Sequence, residues 1–200
     1  KISMIKRGID ILFSLIGLIC LFPFFIFISF FIFITSKGGV FFVQLRVGKN
    51  NKDFKLYKFR TMFLNSDNKG LLTVGNNDKR ITKLGYYLRK NKLDELPQLI
   101  NVLNGTMSLV GPRPEVRKYV NLYNSEQKSI LEIKPGITDL ASIMYYNENE
   151  ILANSGNPEQ TYINEIMPIK LELNKQYINE MSLLTDLKII FKTFMKLINS

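Results

Sequence analysis

The chain has 200 residues, 46% of them hydrophobic, which is enough for one globular domain and a membrane segment. Its formal charge of +10, from 27 Lys and Arg against 17 Asp and Glu, favours anionic partners such as phospholipid headgroups, nucleotide phosphates or nucleic acid. The sequence has no histidine, which argues against a zinc or ferrous site, and its single cysteine, Cys20, excludes an intramolecular disulfide and agrees with a reducing cytoplasmic setting.

The first predicted element is an apolar segment near the N-terminus. Ile11 to Ile34 contains no charge over 24 residues, and as a straight helix of about 36 Å it would cross a hydrocarbon core of about 30 Å. Pro23 lies at its midpoint, where proline removes a backbone hydrogen bond and bends a helix. Cationic residues also flank both ends: Lys1, Lys6 and Arg7 before it, and Lys37, Arg46 and Lys49 after it. The pattern predicts either a straight span or a re-entrant hairpin with both ends cytoplasmic.

Two of the charged residues before this segment are spaced as a helical pair. Arg7 and Asp10 are three residues apart, a spacing that brings side chains together on one helical turn. We expect them to pair where the chain enters the membrane, or to form an ordinary surface pair.

Two strands and a helix are predicted next. Val40–Gln44 and Phe54–Arg60 read as a hairpin around the polar turn Gly48–Lys52, and residues 64–80 read as an exposed loop before a helix over Ile81–Lys90. Lys58 and Arg60 alternate with aromatic residues on the second strand. This gives the strand a basic face, which is either a solvated surface or a phosphate contact.

Two adjacent carboxylates precede the next helix. Pro97 suits the first turn of a helix with Leu96, Leu99, Ile100 and Leu103 as its apolar stripe, so Asp94 and Glu95 lie at its N-terminus. Carboxylates there have an ordinary explanation as caps and as partners of the helix dipole. In the functional interpretation one of them attacks phosphorus or binds Mg²⁺, while its neighbour ligates, orients or takes a proton.

Cationic side chains lie on both sides of this pair in the sequence. Arg89, Lys90 and Lys92 precede it, and Arg113 follows it between Pro112 and Pro114. The two prolines restrict the backbone, which could present the guanidinium to a phosphate, although Gly-Pro-Arg-Pro also describes a simple exposed turn.

The remaining pattern predicts mostly helix. We expect a helix over Glu115–Ile133, a break at Lys134–Gly136, an extended piece over Ile137–Met144 and a polar excursion over Asn147–Pro158. Leu183–Ile198 reads as an amphipathic helix with lysines four residues apart at its edge, Lys188, Lys192 and Lys196. This helix either covers the domain core or docks on a membrane surface.

Taken together, these motifs resemble the bacterial sugar transferases, the small monotopic phosphoglycosyl transferases, over nearly the whole chain. The resemblance rests on the following motifs: Lys6-Arg7-x-x-Asp10, Pro23, Phe41-Phe42-x-Gln44-x-Arg46-x-Gly48, Lys58-Phe59-Arg60-Thr61-Met62, Asp78-x-Arg80-Ile81-Thr82, Leu93-Asp94-Glu95-Leu96-Pro97-Gln98-Leu99, Gly111-Pro112-Arg113-Pro114 and Lys134-Pro135-Gly136-Ile137-Thr138.

The resemblance implies transfer of a sugar-1-phosphate from a UDP-sugar to a polyprenyl phosphate such as undecaprenyl phosphate, with release of UMP. It implies an Asp94 nucleophile that forms a covalent phosphosugar intermediate, Glu95 as its dyad partner, and Mg²⁺ held by both. Arg113 and Arg89 become phosphate contacts, and Lys58, Arg60, Pro112 and Pro114 complete the expected substrate-binding set. Phospholipid is a further expected partner, and nucleic acid is not.

The expected fold is an α/β, membrane-associated monotopic domain with amphipathic surface helices. Residues 1–36 would form a re-entrant membrane helix broken at Pro23, with Arg7 and Asp10 at its start, and residues 37–200 a cytoplasmic catalytic domain with interfacial helices. The expected location is the cytoplasmic face of the bacterial inner membrane. One motif departs from the family: where many members continue with Gly-Trp-Ala-Gln-Val-Asn-Gly-Arg-Asn after Thr138, this chain has Asp139 to Asn147, and Tyr146 replaces the arginine.

Two other functions are consistent with the residues. One is a glycosyltransferase that moves only the sugar and releases UDP. The other is a non-catalytic, membrane-anchored basic module that binds lipid or nucleic acid, in which Asp94 and Glu95 only cap a helix. The leaving nucleotide separates the first from phosphosugar transfer, and indifference to loss of the Asp94 charge would indicate the second.

Overall fold

The computed structural model describes residues 2–64, 66, 72–75 and 78–199, so much of the predicted loop over 64–80 lies outside the described residues. The chain begins with helix α1 (Ile2–Thr35) and the hairpin β1 (Phe41–Val47) and β2 (Asp53–Phe59). Helices α2 (Lys83–Lys90) and α3 (Gln98–Leu103) and strand β3 (Ser108–Val110) follow, and then α4 (Arg117–Val120) and β4 (Gly136–Thr138). The rest is helical: α5 (Leu140–Met144), α6 (Glu148–Ala153), α7 (Pro158–Thr161), α8 (Met167–Asn179) and α9 (Leu183–Ile198).

Helix α1 is apolar and largely uncovered. Met4–Thr35 is long and apolar enough to cross a membrane: its most apolar 18-residue window has a mean hydropathy of 2.9, and only 11% of that window is buried. A core helix of a soluble protein would bury most of that surface. Pro23 lies inside the helix, where it cannot donate the usual backbone hydrogen bond.

The charged residues at the start of α1 are bound to the folded domain instead of to each other. Arg7 donates from Nη1 to the carbonyl of Val102 at 2.6 Å and from Nη2 to that of Leu103 at 2.8 Å, at the end of α3. Buried Asp10 accepts from Ser108 Oγ and from the Leu109 backbone N–H, both at 3.1 Å. The predicted Arg7–Asp10 pair was therefore wrong, because α3 and β3 offer each side chain better partners.

The far arm of α1 also packs on the domain. Ile28 and Ile32 are buried in a cluster with Phe59 of β2 and Leu88 of α2, and Leu96 packs against the same cluster. The domain thus contacts α1 on both sides of Pro23.

The predicted hairpin is confirmed. Strands β1 and β2 are antiparallel, with Phe41 opposite Phe59 and Val47 opposite Asp53. Buried Asn101 of α3 fixes β2: its Oδ1 accepts from the Tyr57 N–H at 3.0 Å and its Nδ2 donates to the Lys55 carbonyl at 2.7 Å.

Strands β3 and β4 form a parallel pair, which brings together the Gly-Pro-Arg-Pro and Lys-Pro-Gly-Ile-Thr motifs. Ser108 is opposite Gly136 and Val110 opposite Thr138. A Cβ atom on Gly136 would lie 2.1 Å from the Gly111 nitrogen, so neither backbone leaves room for a side chain at this contact. Gly-Pro-Arg-Pro and Lys-Pro-Gly-Ile-Thr are therefore adjacent in space.

The C-terminal half is more broken than predicted. The single helix expected over Glu115–Ile133 was wrong, since α4 and a 3₁₀ segment, Gln127–Glu132, replace it. The extended piece ends at Thr138, where Asp139 caps α5, and the predicted polar excursion contains α6. Helix α9 has the predicted bounds, and it buries Asp186 and Ile189 while Leu187, Phe191 and Phe194 remain exposed.

Candidate active site

A cavity of about 340 Å³ lies between the segment that carries Asp94 and Glu95 and the C-terminal helices. Its polar and charged lining contains six cationic and three carboxylate side chains: Lys58, Arg89, Lys92, Arg113, Lys170, Lys196, Asp94, Glu95 and Glu148. Leu96, Leu99, Ile137, Ile143 and Leu197 provide an apolar part. The excess of three positive charges favours a polyanionic ligand.

The local chain path turns both carboxylates toward this cavity. Lys92 adopts a left-handed conformation with φ 55° and ψ 18°, and Leu93–Glu95 then form a 3₁₀ turn before Pro97 and α3. Leu93 and Leu96 pack into the apolar cluster beneath α1, which anchors the turn. A left-handed non-glycine residue is strained, and such residues concentrate at functional sites.

Glu95 is held by two cations. Arg113 donates from Nη1 to Oε2 at 3.0 Å and from Nη2 to Oε1, and Lys58 Nζ donates to Oε1 at 2.8 Å. Burial alone would raise the pKa of Glu95, but Arg113 and Lys58 outweigh it and hold that pKa well below its ordinary value. Glu95 is therefore an ionised anchor for both cations.

Asp94, unlike Glu95, is not bound by a cation of the described residues. Its side chain is buried, with 6% exposed, and within the described ranges no side-chain or backbone donor forms a hydrogen bond to its carboxylate. Burial raises the pKa of Asp94 above its ordinary value, with the negative charge of Glu95 adding to the rise and Lys58 opposing it. Its oxygens remain available to a ligand in the cavity.

The helix-cap explanation for this pair is not supported. The N-cap residue of α3 is Pro97, which makes no side-chain capping bond, and in the described part of the chain Glu95 accepts only from Arg113 and Lys58. Glu95 is thus bound by cations of the cavity wall, Asp94 faces the cavity, and neither carboxylate accepts from a backbone N–H of the described residues.

Asp139, which lies where the sequence departs from the family pattern, positions Arg113. Its fully buried carboxylate accepts from the Arg113 backbone N–H at 3.0 Å through Oδ2 and from the Ser142 N–H at 2.6 Å through Oδ1. Asp is a favoured N-cap residue, and Asp139 was therefore the available sequence signal for the start of α5. Negative charge from Glu95 raises the pKa of Arg113 further above its ordinary range, so the guanidinium stays charged.

The other predicted contacts separate into two groups. Lys58 and Arg89 line the cavity, and Arg89 Nη2 also donates to Thr73 Oγ1 at 2.8 Å. Arg60, two residues after Lys58, instead lies at the turn after α1, where it donates to the Lys37 carbonyl at 3.4 Å. It is absent from the cavity lining among the described residues. Pro112 and Pro114 line a separate small cavity behind Arg113.

Sequence reasoning missed several contributors from the C-terminal half. Lys170 of α8, paired with Glu148 at 2.8 Å, and Thr193 and Lys196 of α9 all line the cavity. The predicted row of lysines on α9 was the available signal for Lys196. Its place in the cavity depends on tertiary packing, which periodicity does not reveal.

The carboxylates can accommodate Mg²⁺ together with substrate oxygens. A carboxylate offers about four lone-pair sites. Three donor atoms already occupy those of Glu95, whereas Asp94 has none of its sites occupied by a described donor. No group of three or more potential metal-binding side chains occurs among the described residues. This set suits a cation bound through one or two carboxylates and phosphate oxygens, the usual Mg²⁺ arrangement.

Comparison with known proteins gives a consistent family. The family model described as bacterial sugar transferase matches residues 2–200. The chain is 38% identical over 194 residues to the UDP-N-acetylgalactosamine-undecaprenyl-phosphate N-acetylgalactosaminephosphotransferase of Aeromonas hydrophila, covering 96% of this chain and 43% of that protein. It is 36% identical over 200 residues to the UDP-glucose:undecaprenyl-phosphate glucose-1-phosphate transferase of Escherichia coli (strain K12), covering 96% and 40%.

A third relative has a similar length. The chain is 38% identical over 197 residues to the sugar transferase EpsL of Bacillus subtilis (strain 168), covering 98% of this chain and 89% of EpsL. By contrast, it spans about two fifths of the length of the Aeromonas and Escherichia proteins. The similarity therefore extends over the whole apolar helix and cavity-bearing region described above.

Proposed function

The chain belongs to the bacterial sugar transferase family, and from that premise we propose that it moves a sugar-1-phosphate from a UDP-sugar to undecaprenyl phosphate and releases UMP. The observation that carries this proposal is the asymmetry of the two carboxylates: Glu95 is bound by Arg113 and Lys58, while Asp94 faces a cationic cavity with its oxygens available. The named activities of the relatives supply the substrate class.

In the proposed first step, an Asp94 carboxylate oxygen attacks the β-phosphorus of the UDP-sugar. A new acyl phosphate bond forms, the bond from that phosphorus to the bridging oxygen breaks, and UMP leaves with the bridging oxygen. In the second step a phosphate oxygen of the acceptor lipid attacks the same phosphorus and displaces Asp94. The carboxylate is regenerated and the product is a sugar-diphospho-lipid, so atoms and charges balance.

The cations have distinct roles in these steps. Arg113 and Lys58 are oriented by Glu95 and stabilise negative charge on the transferred phosphate, and Arg89 lies on the same cavity wall. Asp94 and the remaining lone-pair site of Glu95 would hold Mg²⁺, which neutralises phosphate charge when bound. The raised pKa of Asp94 makes its carboxylate a more basic, and hence stronger, nucleophile once ionised.

We also propose that α1 is re-entrant and that the protein is monotopic, on the cytoplasmic face of the inner membrane. Asp10 and Ile32 are 22 positions apart, about 33 Å along a straight helix, which matches the thickness of a hydrocarbon core. Both contact the same folded domain. A spanning α1 would place one of these contacts on the far side of the bilayer, whereas a helix bent at Pro23 keeps both on one side. The exposed apolar residues of α9 would dock on the same membrane surface.

Intact mass spectrometry tests the chemistry. Wild type and Asp94→Asn are incubated with Mg²⁺ and a panel of UDP-sugars, without acceptor, while UMP and UDP are assayed. We expect a phosphosugar-sized adduct and matching UMP with wild type only. UDP release after acceptor is added would instead indicate a glycosyltransferase, and salt-sensitive lipid binding without either nucleotide would indicate a basic binding module.

Cysteine labelling tests the topology. In a Cys20→Ala background, single cysteines replace exposed Met4 or exposed Lys37, on either side of the apolar segment. A membrane-impermeant maleimide should label both positions in inverted vesicles and neither in spheroplasts. Labelling of the two positions from opposite sides would establish a spanning helix.

A further inference from the structure

Two lysines from distant parts of the chain meet at one aromatic ring. Lys92 Nζ lies 5.0 Å from the ring centroid of Tyr146, and Lys196 Nζ lies 5.7 Å from it. The Tyr146 hydroxyl donates to the Lys90 carbonyl at 3.3 Å, which fixes the ring. We call Lys92, Tyr146 and Lys196 the lysine–tyrosine bracket.

The bracket lies on the wall of the cavity that contains Asp94. All three of its residues line that cavity, and Lys92 and Tyr146 also line an adjoining cavity of about 350 Å³. Arg89 and Asn149 are likewise shared between the two cavities. The bracket therefore borders the reaction site at its junction with a second space large enough for part of a substrate.

Within the part of the chain that the structure describes, no ion pair neutralises the charge of the bracket. Three of the six cations in the cavity, Lys58, Arg113 and Lys170, pair with Glu95 or Glu148. Neither Lys92 nor Lys196 has a carboxylate within ion-pair distance in the described ranges. The ring attracts both ammonium groups but cannot neutralise them. An anion bound between the two ammonium groups would neutralise them. The compact lysine ammonium is a common phosphate ligand.

The position of Lys196 favours one source for that anion. It lies on α9, whose Leu187, Phe191 and Phe194 are exposed on the surface we assign to the membrane. Thr193, one turn before Lys196, also lines the cavity. A phosphate carried on a lipid would reach the cavity along this helix, whereas a soluble nucleotide sugar would not need it.

We propose that the lysine–tyrosine bracket binds a substrate phosphate group during transfer, and that the source of this group is the lipid acceptor. This inference rests on the proposed function and assigns roles to Lys92, Tyr146 and Lys196 beyond the dyad and its cations. It makes the C-terminal helix part of the acceptor site as well as a membrane contact.

The test compares Lys196→Met and Lys92→Met with Lys192→Met. Lys192 is exposed on α9 one turn before Lys196 and does not line the cavity, so it is a matched loss of one charge. Steady-state rates are measured against acceptor and donor concentrations, and single-turnover adduct formation is measured without acceptor. Loss of a charged hydrogen-bonding group should raise the acceptor KM roughly ten- to hundredfold. Adduct formation should remain within twofold of the control, and Lys196→Arg should recover most of the loss.

The outcomes identify the source or overturn the proposal. Slower adduct formation and a raised donor KM, with an unchanged acceptor KM, would assign the bracket to the donor's diphosphate and overturn the acceptor assignment. Kinetics within twofold of Lys192→Met in both measurements, with thermal unfolding unchanged, would overturn phosphate binding by the bracket altogether.

A binding measurement keeps this inference separate from the proposed function. If wild type forms no adduct and releases no nucleotide, the proposed function fails, and inorganic pyrophosphate binding is then measured by calorimetry. At least tenfold weaker binding by the Lys92→Met/Lys196→Met double variant than by Lys192→Met would support an anion-binding bracket. Equal affinities would overturn it.

Discussion

Replacing Glu95 with Gln separates the two roles assigned to the dyad. In wild type the Glu95 carboxylate accepts from Arg113 and Lys58, whose side chains are 33% and 17% exposed. The amide keeps the shape but removes the charge, so both cations lose their ion pair, and one of the two acceptor oxygens is replaced by an NH₂ donor. Breaking a buried ion pair costs about 3–5 kcal/mol, and the partial exposure of Arg113 places this case near the lower end, at about 3 kcal/mol.

The same change should move the pH dependence of Asp94 in a defined direction. Adduct formation requires an ionised Asp94, so its rate falls as the pH drops through the raised pKa of that carboxyl. In Glu95→Gln the neighbouring negative charge is gone and Lys58 remains to attract the carboxylate. The pKa of Asp94 must then fall, and the acid limb of the rate profile must shift to lower pH.

The assay is single-turnover adduct formation by mass spectrometry over a pH series, with thermal unfolding measured on the same samples. A loss of about 3 kcal/mol corresponds to roughly 6–12 °C for a domain of this size. Turnover at neutral pH should also fall, because Arg113 and Lys58 lose their orientation.

Glu115→Gln is the matched control. The Glu115 side chain is 17% exposed, against 11% for Glu95; it accepts from Arg46 Nη1 at 3.1 Å and from the Tyr162 hydroxyl at 2.9 Å, and it does not line the cavity of Asp94. It should lower stability without moving the acid limb. An acid limb in Glu95→Gln that stays in place, or shifts to higher pH, would refute the electrostatic account of the dyad.

Four further changes test other parts of the structure. Arg113→Ala should reduce turnover about a hundredfold while vesicle flotation stays unchanged, because it removes a charge at the developing phosphate; undiminished turnover would exclude Arg113 from the site. Gly136→Ala should cost about 1–3 kcal/mol in thermal unfolding, since its Cβ would overlap the Gly111 backbone, and a wild-type melting temperature would contradict that contact. Asp10→Asn should cost a similar amount by weakening two buried hydrogen bonds, and urea titration would show it. Pro23→Ala should shift the labelling of α1 toward a spanning pattern; unchanged cytoplasmic labelling of both ends would count against a proline-dependent bend.

The wild-type Glu95 ion pair also has a stability signature in pH. Its folded pKa is depressed, so the unfolded chain takes up a proton first as the pH falls below about 4.5. The stabilisation is complete above that pH and is lost progressively below it, toward the folded pKa. Glu95→Gln should lack this contribution. The melting temperatures of wild type and Glu95→Gln, plotted against pH, should therefore converge in acid.

The parts of the fold that could be predicted from sequence are those governed by local rules. The hairpin follows from alternating aromatic residues around a polar turn, and α9 follows from a helical apolar period with Ser182 as its N-cap. The single helix predicted over Glu115–Ile133 does not form. The shorter elements in its place bury Tyr119, Val120 and Ile130 in the core, and this packing involves residues distant in sequence, which a local pattern does not include. Short helices such as α5 depend on a single cap and were read as extended.

The candidate site was predictable only where the chemistry is local in sequence. Asp94 and Glu95 are adjacent, and Arg113 is marked by its two prolines. The contact of Arg113 with Glu95 spans 18 positions, and that of Asp139 with Arg113 spans 26, so no periodicity links them. Strand alternation places Arg60 on the face of Lys58, but its guanidinium donates to the Lys37 carbonyl just after α1, so its expected role in substrate binding stays a prediction.

The assembly of the cavity explains why distant segments of this chain act together. Lys6 at the start of α1 pairs with Asp186 of α9 and donates to the Val110 carbonyl at 3.1 Å, and the Tyr177 hydroxyl donates to Asp186 Oδ1 at 2.7 Å. This buried network joins α1, β3, α8 and α9 at one point. The helix proposed to contact the lipid is therefore fastened to the strand that leads directly to Gly111 and Arg113. The same network therefore fixes the helix that carries Lys196 relative to the segment that carries Arg113.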